Sequence, residues 1–182
     1  MGNTITPQEL KQEAERAYQT KDFLSAAQSY RAAADGYLQT NDEITAAEML
    51  NNASVAYLQG DQPDLALESA LGTDQVFAIS GDKKRQAIAL GNQAAAYQAL
   101  GKLEPALEAY QTSADLLKEI GDQDLRPSVM QALSAVQLRL GKQMEALISM
   151  QSGLDNVEKP SLKQKLMKKI LQSPFSYFNR LN

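Results

Sequence analysis

Shifting the sequence against itself by 40 residues brings small and large apolar positions into register four times. Ala26, Ala66, Ala106 and Ala146 share one column, and the next holds Ala27, Leu67, Leu107 and Leu147. Sixteen residues before the alanines stand Leu10, Leu50, Leu90 and Met130; twelve before them stand Ala14, Ser54, Ala94 and Ser134. Self-similarity at a fixed period of this length marks a stacked repeat architecture. A single unit cannot bury its own apolar face, so neighbouring units must close on one another.

Each unit reads as two helices. Apolar residues recur at the i, i+3, i+4 and i+7 spacing of a helical face, as in Leu100, Leu103, Leu107 and Tyr110, where the series runs across a turn. The junctions Asn41-Asp42, Gly81-Asp82 and Gly121-Asp122 supply a residue suited to a left-handed C-cap and an Asp suited to cap the next helix. A second break recurs at Lys21-Asp22, Gly60-Asp61, Gly101-Lys102 and Gly141-Lys142. The pattern predicts helices over 7–20, 22–40, 42–59, 62–80, 82–100, 103–120, 123–140 and 142–157. Thr6-Pro7-Gln8-Glu9 has the form of a capping box with proline at the first helical position.

The chain of 182 residues is expected to form one domain, with repeats over about 7–41, 42–81, 82–121 and 122–158. Leu162, Leu166, Met167 and Ile170 form an apolar stripe, which predicts a cap helix over 161–172 that covers the last repeat. An aromatic tail, 173–182, follows.

Composition removes most catalytic chemistries. The chain has no Cys and no His, so it lacks a thiolate ligand or nucleophile and the commonest general base. No glycine-rich phosphate loop is present. No enzyme activity, cofactor or metal is expected. The net charge of −4 argues against nucleic acid as a partner. Residues 1–158 carry −10 and residues 159–182 carry +6, so an anionic surface would be met by the tail. No apolar run approaches the ~18 residues of a membrane span, and Met1–Leu10 lacks the basic start and apolar core of a leader. The expected location is cytoplasmic, or peripheral to a membrane.

The third unit, with Leu90, Ala94, Tyr97, Gly101, Ala106 and Tyr110, resembles the tetratricopeptide-repeat (TPR) family. Leu10, Ala14, Ala26, Tyr30 and Ala33 carry the likeness in the first unit, Leu50, Tyr57 and Ala66 in the second, and Met130, Gly141 and Ala146 in the fourth. The 40-residue period is similar to the Pins-like Leu-Gly-Asn repeats and kinesin light chains. The resemblance implies an all-α fold: a right-handed α-solenoid of four helix pairs with a C-terminal capping helix. It also implies that the first helix of each pair lines a concave groove that binds a peptide segment of another protein.

Projected onto that groove, one column reads Gln12, Asn52, Asn92 and Ala132; its neighbour reads Lys11, Asn51, Gly91 and Gln131; a third holds Gln19, Gln59, Ala99 and Arg139. A ladder of amides both donates and accepts, so it suits a peptide backbone; a merely solvated helix face is the alternative. Gly91 within a helix costs about 1 kcal/mol against Ala, which close approach of a partner or tight helix packing would explain. Lys11 and Arg139 stand at opposite ends of the groove, unlike a chaperone-type carboxylate clamp. Lys83-Lys84-Arg85 opposes the dipole of its helix and reads as a solvated turn or a partner contact.

In the tail, Lys168, Lys169, Phe175, Tyr177 and Phe178 read as a docking element, or as packing against the repeats. A basic amphipathic helix followed by aromatics also suits an anionic bilayer. The main expectation is a non-catalytic scaffold. The alternatives are a membrane-peripheral assembly factor for a multi-subunit complex, such as a photosynthetic one, and a homo-oligomeric self-association module.

Overall fold

A computed structural model describes residues 5–155, which form nine helices and no strand. The first pair is α1 (Pro7–Gln19) and α2 (Phe23–Gln39). The second is α3 (Glu43–Gln59) followed by α4 (Pro63–Ala70) and α5 (Thr73–Ile79); the third is α6 (Lys83–Ala99) and α7 (Leu103–Glu119). The fourth is α8 (Arg126–Arg139) and α9 (Gln143–Asp155). The cap helix and aromatic tail expected over 161–182 lie outside the described residues.

A left-handed residue ends each half-repeat: Lys21, Asn41, Asp61, Gly81, Gly101, Gly121 and Gly141, with φ between 57° and 76°. They recur every 20 residues. The following N–H donates to the carbonyl five residues back, as Asp22 does to Ala17, Asp42 to Tyr37 and Lys102 to Tyr97. This Schellman closure satisfies the last carbonyls of one helix and reverses the chain into the next. The carboxylates of Asp22, Asp42 and Asp82 then accept the N–H groups of Ser25, Thr45 and Arg85. At the start of α1, Thr6 and Glu9 make the reciprocal bonds of the capping box.

Two helix boundaries depart from expectation. The helix predicted over 62–80 is broken, because Leu71 is extended and Gly72 takes φ 81°, a conformation that only glycine adopts freely. The helix predicted from 123 starts at Arg126. There the Asp122 carboxylate accepts the N–H groups of Asp124 and Leu125 at 3.1 and 2.8 Å, which winds 122–125 into a turn.

The repeat columns lie in the interior. Ala26, Ala66 and Ala106 have no exposed surface and Ala146 has 1%. Ala14, Ser54, Ala94 and Ser134 are equally enclosed. Tyr30, Tyr57 and Tyr110 fill the space beside them. The second helices stand between successive first helices: α2 packs on α1 and α3, and α7 on α6 and α8. The second repeat differs, for its broken half lets α6 touch α3 directly as well as α4 and α5. Phe77 of α5 is wedged between Ala47 of α3 and Ala89 of α6.

Ala106→Leu should overpack the α6–α7 crossing and cost about 1–3 kcal/mol in urea unfolding. Ala99→Leu makes the same chemical change at an exposed position and should stay within about 0.5 kcal/mol of the parent. Equal midpoints for the two variants would place Ala106 away from a close helix contact.

Candidate functional site

The first helices, α1, α3, α6 and α8, keep one row of side chains exposed or half-buried across all four repeats. Gln8, Gln12, Glu15 and Gln19 stand on α1; Glu48, Asn52, Val55 and Gln59 on α3. On α6 the same positions hold Ile88, Asn92, Ala95 and Ala99, and on α8 Ser128, Ala132, Ala135 and Arg139. The row is wholly polar on α1 and gains apolar members on α6 and α8, Ile88 being 39% exposed.

The amide ladder is only partly free. Gln12, Gln19, Gln59 and Gln131 remain exposed and Asn52 half-buried. Asn51 is buried: its Nδ2 donates to the Ala47 carbonyl at 3.1 Å, and its Oδ1 accepts Asn92 Nδ2 at 3.2 Å. Asn51 and Asn92, both expected on the partner-binding face, thus bond to each other between α3 and α6, with Asn92 still half-buried beside the open face. Lys11 faces Glu48 at 3.9 Å, and Arg85 faces the same carboxylate at 3.9 Å, so Glu48 bridges three first helices. Exposed pairs at this distance contribute about 0–1 kcal/mol. Arg139 Nη1 donates to the Gln98 carbonyl at 3.4 Å, near the end of α6, where a cation offsets the helix dipole.

Two hollows open on this face. One, of about 450 Å³, spans the ends of α3, α6 and α8 and is lined by Leu58, Ala95, Gln98, Ala99, Tyr110 and Arg139. The other, of about 230 Å³, lies between α6 and α8. Its walls are Ala87, Ile88, Gly91 and Asn92 on one side and Leu125, Ser128, Val129 and Ala132 on the other, over Tyr110 and Leu117 of α7. Tyr110 borders both hollows, and burial pushes its hydroxyl pKa up to about 12. A Cβ on Gly91 would meet only Ser113 Oγ, at 3.7 Å, so helix packing does not require the glycine.

The three cations that open α6 are each engaged. Lys83 pairs with Glu119, and Lys84 with Asp122 at 2.8 Å. Arg85 pairs with Asp82 and Glu48, and its guanidinium stands 6.0 Å from the Phe77 ring centre. Asp122 has a side chain only 8% exposed. The Leu125 N–H and the Lys84 ammonium hold its carboxyl below the usual range, and Asp122 in turn raises the Lys84 pKa. Acidic side chains of the chain itself therefore stand beside the cations that open α6. The cations of the tail proposed for docking, Lys168 and Lys169, and its aromatics Phe175, Tyr177 and Phe178, lie outside the described residues.

Among the described residues no group of three or more acidic side chains is arranged to hold a metal ion, and no helix is long and apolar enough to cross a membrane. The stacked helix pairs define an all-helical repeat fold of the α-solenoid kind. Residues 6–178 match the family described as soluble NSF attachment protein, SNAP, and the chain belongs to that family. The match establishes the helical-repeat class; the narrower likeness to Pins-like repeats and kinesin light chains rests on repeat length alone. No curated protein matches the chain.

Asn92→Ala should strand the buried Asn51 oxygen without a donor and cost about 1–3 kcal/mol in chemical unfolding. Asn52→Ala, on the open face, should cost no more than about 0.5 kcal/mol. If neither variant moves the midpoint, the amide pair does not join α3 to α6.

Proposed function

We propose that this chain is a non-catalytic scaffold that binds a segment of another protein along the face of α1, α3, α6 and α8. The observation that carries the reading is the exposed or half-buried row running through all four repeats, wholly polar on α1 and mixed with apolar residues on α6 and α8. Exposed amides can pair with a peptide backbone. The hollows bordered by Tyr110, Ala95 and Ala132 offer desolvated ground for apolar side chains, where binding energy concentrates. The family is named for attachment to another protein, NSF, and an adaptor role of that kind fits a chain without histidine or cysteine. Of the expected contacts, Gln12, Gln19, Asn52, Gln59 and Gln131 stay on the binding face in this reading. Asn51 lies beneath it, and Asn92, bonded to Asn51, stays half-buried at its surface.

Parallel affinity capture with parent and variant chains tests the assignment. Ala95→Arg and Ala135→Arg put a cation on the open face, and Ala32→Arg puts the same cation on an exposed position of α2. The first two should weaken recovery of a captured protein about tenfold or more, a loss of about 1.4 kcal/mol, while Ala32→Arg binds as the parent does. Equal loss with Ala32→Arg, or no loss with the first two, would move the binding surface off the first helices.

A further inference from the structure

The cleft between α6 and α8 is apolar, of about 230 Å³, and opens beside Ile88, Gly91, Val129 and Ala132. Its volume is below the range of about 300–1,000 Å³ of small-molecule sites. It is ample for one aromatic ring, since a cavity of about 150 Å³ accepts benzene. A helix-interior glycine with room for a Cβ gives up about 1 kcal/mol of helix stability, and at Gly91 the bare backbone forms part of the cleft wall.

The course of the chain supplies an occupant. Arg126 donates to the Ser152 carbonyl and hydroxyl at 3.1 and 2.8 Å. Gly153 lies against Met130 and Pro127. The end of α9 therefore adjoins the turn of α8 that carries Ser128 and Val129 into the cleft wall. Twenty residues separate Asp155 from Phe175. A flexible coil of that length spans about 25 Å, enough to return a ring to a cleft that adjoins its point of departure. Charge favours the encounter. Residues 5–155 hold 12 basic and 21 acidic side chains, a net of −9, and residues 156–182 hold six basic and one acidic, a net of +5. A tether raises the local concentration of the segment to about millimolar.

We infer that the Phe175–Phe178 segment of this chain docks in cis on the first-helix face, with one aromatic ring in the α6–α8 cleft. Docking in cis needs no partner and stands or falls separately from the partner-binding reading. It makes the tail a built-in occupant of the α6–α8 end of that face.

The chain has no Trp, so a single tryptophan reports its own surroundings. Phe175→Trp, Tyr177→Trp and Phe178→Trp are each made in the full chain. At least one should show a blue-shifted, quencher-protected emission that does not change on dilution. Gly91→Leu and Ala132→Leu, made separately to fill the cleft, should each abolish that protection while the helical circular dichroism and the melting transition persist. Met144→Arg, on the exposed face of α9, should leave it intact. The inference is overturned if all three tryptophans emit as in water, or if protection survives both fillings. It is also overturned if Met144→Arg alone removes protection, which would place the tail on α9, or if protection vanishes on dilution, which would place it on a second copy.

Discussion

The close approach of paired helices at alanine is the contact on which the rest of the molecule depends. Ala26, Ala66 and Ala106 have no exposed surface, and a larger side chain there would hold the two helices of a pair apart. Close backbones bring many weak dispersion contacts to their optimum at once. The Schellman turns add the second constraint. With a left-handed residue every 20 positions, each helix ends where its successor must fold back, and the alanine columns meet. Where a helix is interrupted, as at Gly72, the turns on either side at Asp61 and Gly81 keep their places, so the register survives the break.

That interruption decides the character of the face. In the third repeat α7 is unbroken and stands between α6 and α8, which make no extended contact with each other. The result is a seam wide enough to form a cleft over Tyr110. In the second repeat the corresponding helix is split into α4 and α5, and α6 reaches α3. Phe77 and the Asn51–Asn92 bond then fill the seam. The same 40-residue column is therefore structural at one seam and open at the next.

Much of this was legible in the sequence. The repeat, its phase, the alanine interior and the capping aspartates Asp42 and Asp82 all follow from local pattern, because caps and crossings are set by residues within one repeat. The break at Leu71-Gly72 was missed, although Gly72 was its signal, since a lone glycine inside a helical pattern is often tolerated. The pairing of Asn51 with Asn92 was not legible, because the column gives the face of a side chain but not the width of the seam. The engagement of Lys83, Lys84 and Arg85 left a trace that local reading overlooks. Arg31–Glu68, Lys83–Glu119 and Lys84–Asp122 join residues 36 to 38 apart, as do Lys11–Glu48 and Arg85–Glu48. Opposite charges at that spacing are the cross-repeat counterpart of the i, i+4 pair within a helix.

The contrast between the two seams is the claim on which the functional account turns, and a chain without cysteine allows it to be measured directly. Asn51→Cys with Asn92→Cys places two thiols across the α3–α6 seam. Gly91→Cys with Ala132→Cys places two at the equivalent positions, 40 residues on, across the α6–α8 seam. A disulfide requires Cβ atoms about 3.5–4.5 Å apart, so oxidation rate at low protein concentration reports the separation. The first pair is predicted to close much faster than the second. Equal rates, or faster closure at Gly91→Cys/Ala132→Cys, would contradict the open seam and the binding face built on it.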